Sequence, residues 1–243
     1  MNTIRVNGSK VTNNFGLSIR NNIIVIDNLE EISVIYEHAQ IDLKFIIKSD
    51  CKIFEYINNS KINNNYEMIA NMVINRFSVN SSLKTVIDMN AINTNLDYFY
   101  ATINEDDNNY VIDINHNVKM TNAKVINHGI NYRSKKLDFL INSRILKESS
   151  LVNSNQDSKI ILMEDNTALI KPNLLVFNDD ISANHASYIG YFDKNKVFYL
   201  ASRGINEMVA IKLLAKAFLL GDRDITFLQR EMILKDINSY WGW

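Results

Sequence analysis

One cysteine and four histidines are the side chains of this sequence best suited to bind a metal or to act as a nucleophile. Cys51 is the only cysteine, which excludes an internal disulfide and any cysteine-only metal cage built by one chain. We therefore expect Cys51 to be a buried, unreactive thiol. His38, His116 and His128 have no partners at the spacing that metal ligands need. The fourth histidine, His185, lies in a stretch with several motifs of its own.

The sequence motifs of the common enzyme classes are missing. No Ser/His/Asp or paired-carboxylate group occurs at local spacing, and no Gly-x-x-x-x-Gly-Lys-Ser/Thr loop is present to hold a nucleotide phosphate. A carbohydrate-active β-helix protein of the polysaccharide-lyase type would need clustered acidic and basic residues. It would usually also need a secretion signal, which the first ten residues (MNTIRVNGSK) lack. We therefore expect a binding protein rather than an enzyme.

The charge balance narrows the choice of partners. Lysine and arginine number 26 and aspartate and glutamate 27, which gives a formal net charge of −1. Such a chain has no net field to attract nucleic acid or an anionic membrane surface. No window approaches the roughly 18 uninterrupted apolar residues of a membrane-spanning helix. We expect a cytoplasmic protein with no nucleic-acid or membrane partner.

Short β-rich runs fill most of the chain, and they would have to position the cysteine and histidine side chains. The predicted strands are Ile23–Ile26, Ile41–Lys48, Cys51–Ile57, Met68–Ile74, Leu83–Ile87, Leu96–Ile103, Tyr110–Ile114 and Ala168–Phe177. The predicted turns are residues 58–60, 63–65, 105–109 and 153–157, which are rich in Asn and Asp. No amphipathic helices alternate with the strands, so a sandwich or a β-helix remains. Periodicity alone slightly favours the sandwich.

The pattern becomes helical near the end of the chain. Asp193 is placed to cap a short helix over Lys194–Leu200, and residues 201–204 form a break. A longer helix is predicted over Asn206–Leu220, with Asn206 as its N-cap and Gly221 as its stop. A last helix is predicted over Ile225–Tyr240. The aromatic end, residues 240–243, either folds back on the core or anchors a partner, and packing is favoured.

The most informative stretch is Lys171–Gly221, which reads KPNLLVFNDDISANHASYIGYFDKNKVFYLASRGINEMVAIKLLAKAFLLG. It holds a Pro-x-Leu strand, an acidic pair, a histidine, a strand ending in Gly, then Phe-Tyr-Leu-x-Ser-Arg-Gly-Ile and an apolar helix. This order resembles the SufB/SufD family of scaffold proteins in the SUF iron–sulfur assembly machine, and is more similar to SufD. Fainter similarity extends upstream to residues 128–131 and the strand at Leu137–Ile141.

The resemblance implies an all-β fold, a right-handed parallel β-helix with a small C-terminal α-helical region. We expect the β-helix scaffold core over residues 1–192 and the helical, ATPase-docking region over residues 193–243. Family members carry a helical region before the β-helix, whereas strand-like sequence starts early here. The chain is thus expected to be an N-terminally shortened member.

The resemblance also implies two partners. One is a SufB-like or identical chain, joined near the C-terminal end of the β-helix, and the other is a SufC-type ABC ATPase that docks on the terminal helices. The expected docking residues are Arg203, Gly204, Ile205, Asn206, Glu207, Lys212 and Phe218, of which Glu207 and Lys212 are expected to face solvent. A structural alternative is that Gly204 permits the turn and Ile205 staples the helix start.

His185 is the candidate metal ligand, because the matching SufD histidine lies where the two scaffolds meet and a cluster is thought to form. We expect no cofactor bound tightly by the chain alone, but a transient iron–sulfur cluster at a subunit interface, with thiolates from the partner. The alternative for His185 is a hydrogen-bonded structural histidine. A SufB-type sulfur acceptor is not expected, since no cysteine follows Cys51. A degenerate relative that only sequesters the ATPase remains a further alternative.

Overall fold

The computed structural model describes residues 2–133 and 136–240. The strands of this part of the chain are β1 (Asn2–Asn7), β2 (Lys10–Asn13), β3 (Ile23–Ile26), β4 (Glu31–Glu37), β5 (Gln40–Ile47), β6 (Cys51–Asn58), β7 (Lys61–Met68), β8 (Met72–Val79), β9 (Ser82–Met89), β10 (Asn95–Asn104), β11 (Asn108–His116), β12 (Asn122–Asn131), β13 (Lys136–Ile145), β14 (Val152–Leu162), β15 (Thr167–Val176) and β16 (Ile181–Gly190). The helices are α1 (Lys194–Ser202), α2 (Glu207–Leu220) and α3 (Phe227–Tyr240). The predicted packing of the tail at residues 241–243 lies outside the described residues.

Consecutive strands alternate between two sheets, so the chain winds as a coil. One sheet, here called sheet A, has the order β16-β14-β12-β10-β8-β6-β4-β1-β2, and the other, sheet B, has the order β15-β13-β11-β9-β7-β5-β3. Neighbours within each sheet are parallel except for the β1–β2 hairpin. The expected parallel β-helix is confirmed, and the sandwich that periodicity favoured is wrong, because a sandwich would need antiparallel neighbours.

The coil forms because each strand carries apolar side chains on alternate positions, and these face the space between the sheets. In β5 the buried residues Ile41, Leu43, Phe45 and Ile47 alternate with outward polar or half-buried ones. The same alternation in β7, β9, β11 and β13 stacks equivalent side chains of sheet B in columns. The result is one continuous apolar core that runs along the axis.

Asparagine supplies the corners between the sheets. Asn59 (φ 45°) and Asn80 (φ 44°) stand at equivalent corners of successive coils in the left-handed region that Asn tolerates. The Oγ of Ser81 accepts a hydrogen bond from the N–H of Ser60, one coil earlier, at 3.0 Å, which ties the two corners together. The expectation of Asn-rich corners is confirmed here.

Some of the predicted turns lie inside strands. Residues 63–65 belong to β7 and residues 153–157 to β14, whereas the predicted strand Met68–Ile74 crosses the turn between β7 and β8. The outward Asn side chains bond to the neighbouring coil, as Asn63 Nδ2 does to Asp42 Oδ1 at 2.7 Å. Asn is therefore tolerated within these strands because its amide forms a ladder along the outer face.

The predicted helices are confirmed with small shifts of their ends. Asp193 caps α1 by accepting from the N–H of Asn195, and Gly221 follows α2 with φ 58°. α2 and α3 pack on the outer face of sheet A through a second apolar cluster, which includes Phe99, Leu219 and Ile237. No helix in the described ranges is both long and apolar enough to span a membrane.

Candidate functional site

Within residues 2–133 and 136–240, no further coil is stacked on the last coil, which is formed by β15 and β16. These strands stand at one end of sheet B and one end of sheet A respectively, and none of their residues is buried. Large apolar side chains are exposed on or beside this coil: Leu169, Leu175, Val176, Phe177, Tyr188 and Ile189. We call β15 and β16 the terminal coil. Its exposed apolar side chains and unpaired edges are the features of a surface that is covered by another chain.

The open edge of β16 has a regular set of free backbone groups. In a parallel strand, consecutive residues direct their N–H and C=O alternately to the two sides. The N–H of Asn153 in β14 donates to the carbonyl of Thr121, toward β12, at 3.0 Å. Ser182 lies opposite Asn153, so its N–H points back toward β14. The residues whose backbone groups point to the open edge are therefore Ile181, Ala183, His185, Ser187 and Ile189.

β15 offers a weaker edge because it contains Pro172, the only proline of the sequence. The N–H of Phe177, just after β15, donates to the carbonyl of Ile145 in β13 at 3.1 Å. Alternation then directs position 172 away from β13, so the proline removes no hydrogen bond within the sheet. It does remove a donor from the open edge. The edge of β16 is thus better suited to the addition of a strand than the edge of β15.

His185 lies in the middle of β16, on the inward side of the coil. It is in register with Gln156, which is buried in the core at 3% exposure. The adjacent residues Asn155 and Asn184 bond to each other at 3.1 Å on the outer face, as the alternation requires. The imidazole of His185 is exposed at the mouth of the coil. It makes no hydrogen bond within the described residues, and both of its predicted roles, metal ligand and structural histidine, stay predictions.

The acidic pair before β16 forms a turn. The N–H of Asp180 donates to Asn178 Oδ1 at 2.8 Å, and the Asp180 carbonyl accepts from the N–H of Leu151 at 2.7 Å. Across the described ranges, no group of three His, Cys, Asp or Glu side chains is arranged to hold a metal ion. A cluster bound at His185 would therefore need further ligands from another chain.

Four of the expected ATPase-docking residues are exposed around the break between α1 and α2. These are Arg203, Gly204, Asn206 and Glu207. Gly204 has φ 83°, a value that favours glycine, and Asn206 caps α2 by accepting from the N–H of Met208 at 2.9 Å. Ile205 is half-buried. The structural roles predicted for Gly204 and for the cap are thus present, whether or not a partner binds here.

Lys212 and Phe218 are placed differently from the expectation. Lys212 is only 8% exposed, so the prediction that it faces solvent is wrong. The helical repeat puts it on the same face of α2 as Ala215 and Leu219, which pack against sheet A. Phe218 is half-buried, and its ring stacks on His128 with ring centroids 4.2 Å apart. Its ring is therefore engaged within the chain.

Sequence reasoning did not single out Phe198 and Met208, two exposed apolar side chains beside this break. Phe198 of α1 is 74% exposed and Met208 of α2 is 59% exposed. Together with Leu213 they present an apolar surface on the helical layer. The signal was available in the sequence, because α2 has apolar residues around more than one face. Which of those faces packs inward became clear only from the structure.

Cys51 is buried at 5% exposure beside the core, as expected. Burial raises the pKa of its thiol to about 12, and the nearby Asp50 carboxylate adds to this shift. At pH 8 its thiolate fraction is then about a thousandfold lower than that of an ordinary thiol. We predict that a disulfide reagent at pH 8 modifies Cys51 very slowly in the folded protein and rapidly after unfolding in urea. Equal rates in the two states would contradict the burial.

Comparison with known proteins places the chain among iron–sulfur assembly proteins. The family model described as "SUF system FeS cluster assembly, SufBD core domain" matches residues 59–218, more than half of the chain. Iron-sulfur cluster assembly protein SufD of Bacillus subtilis (strain 168) is 29% identical over 116 residues, covering 47% of this chain and 26% of that protein.

Two shorter matches agree with this. SufD of Escherichia coli (strain K12) is 40% identical over 48 residues, 20% of this chain and 11% of that protein. An iron-sulfur cluster assembly SufBD family protein of Mycobacterium leprae (strain TN) is 50% identical over 48 residues, 19% of this chain and 12% of that protein. The matched segments thus span about a quarter or less of these relatives.

Proposed function

Because the chain belongs to the SufBD core family of the SUF iron–sulfur assembly system, we propose that it is a SufD-like scaffold subunit. In this role it pairs with a SufB-like or identical chain through the terminal coil and docks a SufC-type ATPase on its helical layer. It acts by binding, and ATP hydrolysis belongs to the ATPase partner. The observation that carries the proposal is the open edge of β16 with His185 at its centre.

An exposed strand edge favours a partner that adds a strand to it. Five residues of β16 direct unpaired backbone groups outward, and the side chains beside them include Tyr188 and Ile189, both exposed. An edge of this length promotes uncontrolled association unless something covers it. Strand addition from a second scaffold would satisfy these groups and bury the apolar side chains.

The pairing also places His185 where a cluster could form. A neutral imidazole is a suitable ligand for iron, and His185 is exposed at the mouth of the coil next to the pairing edge. One histidine cannot hold a cluster alone, so the remaining ligands are thiolates of the partner. The iron–sulfur cluster is cargo that is assembled there and passed on, rather than a resident cofactor of this chain.

Replacing His185 with alanine tests this function. We expect His185→Ala to leave the fold and the assembled complex intact, while the iron retained after anaerobic reconstitution falls severalfold, since the cluster loses one ligand. Iron content is measured on the complex purified with its partner scaffold and ATPase. The matched control is Asn184→Ala, one residue away on the outer face.

Unchanged iron content in His185→Ala would contradict the ligand role and favour a degenerate relative that binds the ATPase without assembling clusters. Loss of the complex itself would instead assign His185 to the pairing surface. Circular dichroism and sedimentation of each variant separate these outcomes from misfolding.

The break between α1 and α2 is the proposed docking surface for the ATPase. The exposed Glu207 lies beside exposed Met208 and near Phe198, so charged and apolar groups meet on one surface. Lys212 is unsuitable as a probe because it is buried. We predict that Glu207→Lys weakens ATPase binding about three- to tenfold, mainly by slowing association, as is usual for charges at the rim of an interface.

Binding is measured by titration calorimetry at two salt concentrations. Glu231→Lys, an exposed reversal of the same charge on α3, is the control and should leave the affinity unchanged. If both variants bind the ATPase like the wild type at low salt, docking occurs elsewhere on the chain.

A further inference from the structure

The residue directly beneath His185 in the coil is Gln156. The two are in register on neighbouring parallel strands, so their backbones lie about 4.8 Å apart and their side chains face the same side. Gln156 is 3% exposed, while His185 stands above it at the open mouth. The side chains of Gln156 and His185 are therefore neighbours in one column.

The amide of Gln156 is held from one side only. Its Nε2 donates to the Oγ of Ser143 at 2.8 Å, and that hydroxyl also accepts from the Oγ of Ser154 at 3.0 Å. The first of these bonds holds the amide of Gln156 toward Ser143 in sheet B. The Oε1 of the same amide bonds to neither serine.

The Oε1 atom is buried and has no hydrogen-bond partner within the described ranges. A buried amide oxygen without a donor is rare, because the loss of its water is not compensated. The next residue down the same column is Val125, whose side chain has no donor. The neighbour of Gln156 in this column that carries a donor is the imidazole of His185.

We propose that Gln156 is a positioning residue for His185: its Oε1 accepts a hydrogen bond from one ring nitrogen and so fixes the tautomer and orientation of the imidazole. The other ring nitrogen keeps its lone pair and points toward the pairing edge. Histidines that bind metal commonly donate their second N–H to a fixed acceptor in this way. This inference rests on the proposed function, because it assigns His185 a metal to meet.

In the structure the imidazole of His185 makes no hydrogen bond within the described residues. The proposed bond requires a change of the His185 rotamer, which its exposed ring permits. Gln156, in contrast, cannot move without breaking its bond to Ser143. The acceptor is therefore preorganised, and the ligand adjusts to it.

The test reads the ratio of the two neutral tautomers of His185 directly by nitrogen-15 NMR of the full chain in alkaline solution. In the wild type we expect the ratio of the two tautomers to differ roughly fivefold from that of a free imidazole, the bias that one hydrogen bond supplies. Gln156→Leu should return the ratio to that of a free imidazole, and Gln156→Glu, which keeps an acceptor oxygen, should retain the bias.

The matched control is Asn155→Leu, which alters the outer face of the same strand and should leave the tautomer ratio unchanged. An unbiased ratio in the wild type, or a bias that survives in Gln156→Leu, overturns the proposal. If Gln156→Leu fails to fold, loss of the bias in folded Gln156→Glu overturns it equally.

A second readout separates this inference from the proposed function. In the reconstituted complex, Gln156→Leu should lower the affinity for iron about tenfold, and Gln156→Glu should restore most of it. The tautomer ratio of His185 could depend on Gln156 while iron binding depends on neither Gln156 nor His185. That result would support the hydrogen bond and contradict the metal role of His185. Iron binding that needs His185 but not Gln156 would contradict the inference alone.

Discussion

Replacing Arg76 with methionine is expected to lower the free energy of unfolding by about 3–5 kcal/mol, because it leaves a buried carboxylate without its cationic partner. Arg76 forms an ion pair with Glu55 inside the coil, and both side chains are fully buried. The loss is measured by urea unfolding followed by circular dichroism. It should be far larger than the effect of breaking any ion pair on the surface of the molecule.

The pair is the centre of a buried polar network. Glu55 Oε1 accepts from the hydroxyls of Tyr36 at 3.1 Å and Tyr66 at 2.5 Å, and Arg76 donates to the hydroxyl of Tyr98 at 2.8 Å. Burial raises the pKa of Tyr36 and Tyr66 well above the usual value, so these hydroxyls stay protonated and donate. Removing Arg76 thus leaves a charge that only neutral donors, the two tyrosines and the amide of Asn64, can satisfy.

The double variant Glu55→Gln/Arg76→Met removes both charges and should recover at least half of the lost stability, since the penalty arises from one charge left alone. The control is Lys44→Met, which breaks an ion pair with Glu67 of 2.8 Å at the surface and should cost less than about 1 kcal/mol. A loss below about 1 kcal/mol in Arg76→Met would mean that water reaches the network.

The β-helix could be recognised from the family resemblance of residues 171–221 but not from periodicity, because the coils differ in length. Equivalent positions are 21 residues apart in the early coils, as the bonds Ala39–Ser60 and Ser60–Ser81 show. The spacing then grows to 24, 27 and 31 residues and ends at 29. A repeat that lengthens along the chain has no fixed period for a sequence scan to detect.

The candidate site was predicted only in part, for a related reason. His185 and the break at Gly204 stand in local motifs that a sequence can display. Gln156 becomes a neighbour of His185, and Glu55 a neighbour of Arg76, only through the register of strands that are a whole coil apart in sequence. The same limit explains Lys212, since its burial depends on which face of α2 meets sheet A.

Proline at Ser187 is expected to weaken pairing with the partner scaffold about 10- to 100-fold while changing the stability of the chain by less than about 1 kcal/mol. The N–H of Ser187 points to the open edge of β16, so its removal breaks no hydrogen bond within the sheet. The proline ring would, however, obstruct a strand added at that edge. Pro172 shows that the neighbouring strand β15 accepts a proline at an equivalent outward position.

The matched variant is Ala186→Pro, one residue earlier in β16. Its N–H points toward β14, so the same substitution removes a hydrogen bond of the sheet and should destabilise the chain by about 2–3 kcal/mol. Sedimentation velocity of the chain, alone and with its partner scaffold, measures the pairing, and urea unfolding measures the stability. If Ser187→Pro pairs like the wild type, the partner does not add a strand to β16. If both prolines destabilise equally, the alternation that places the backbone of His185 at the open edge is wrong.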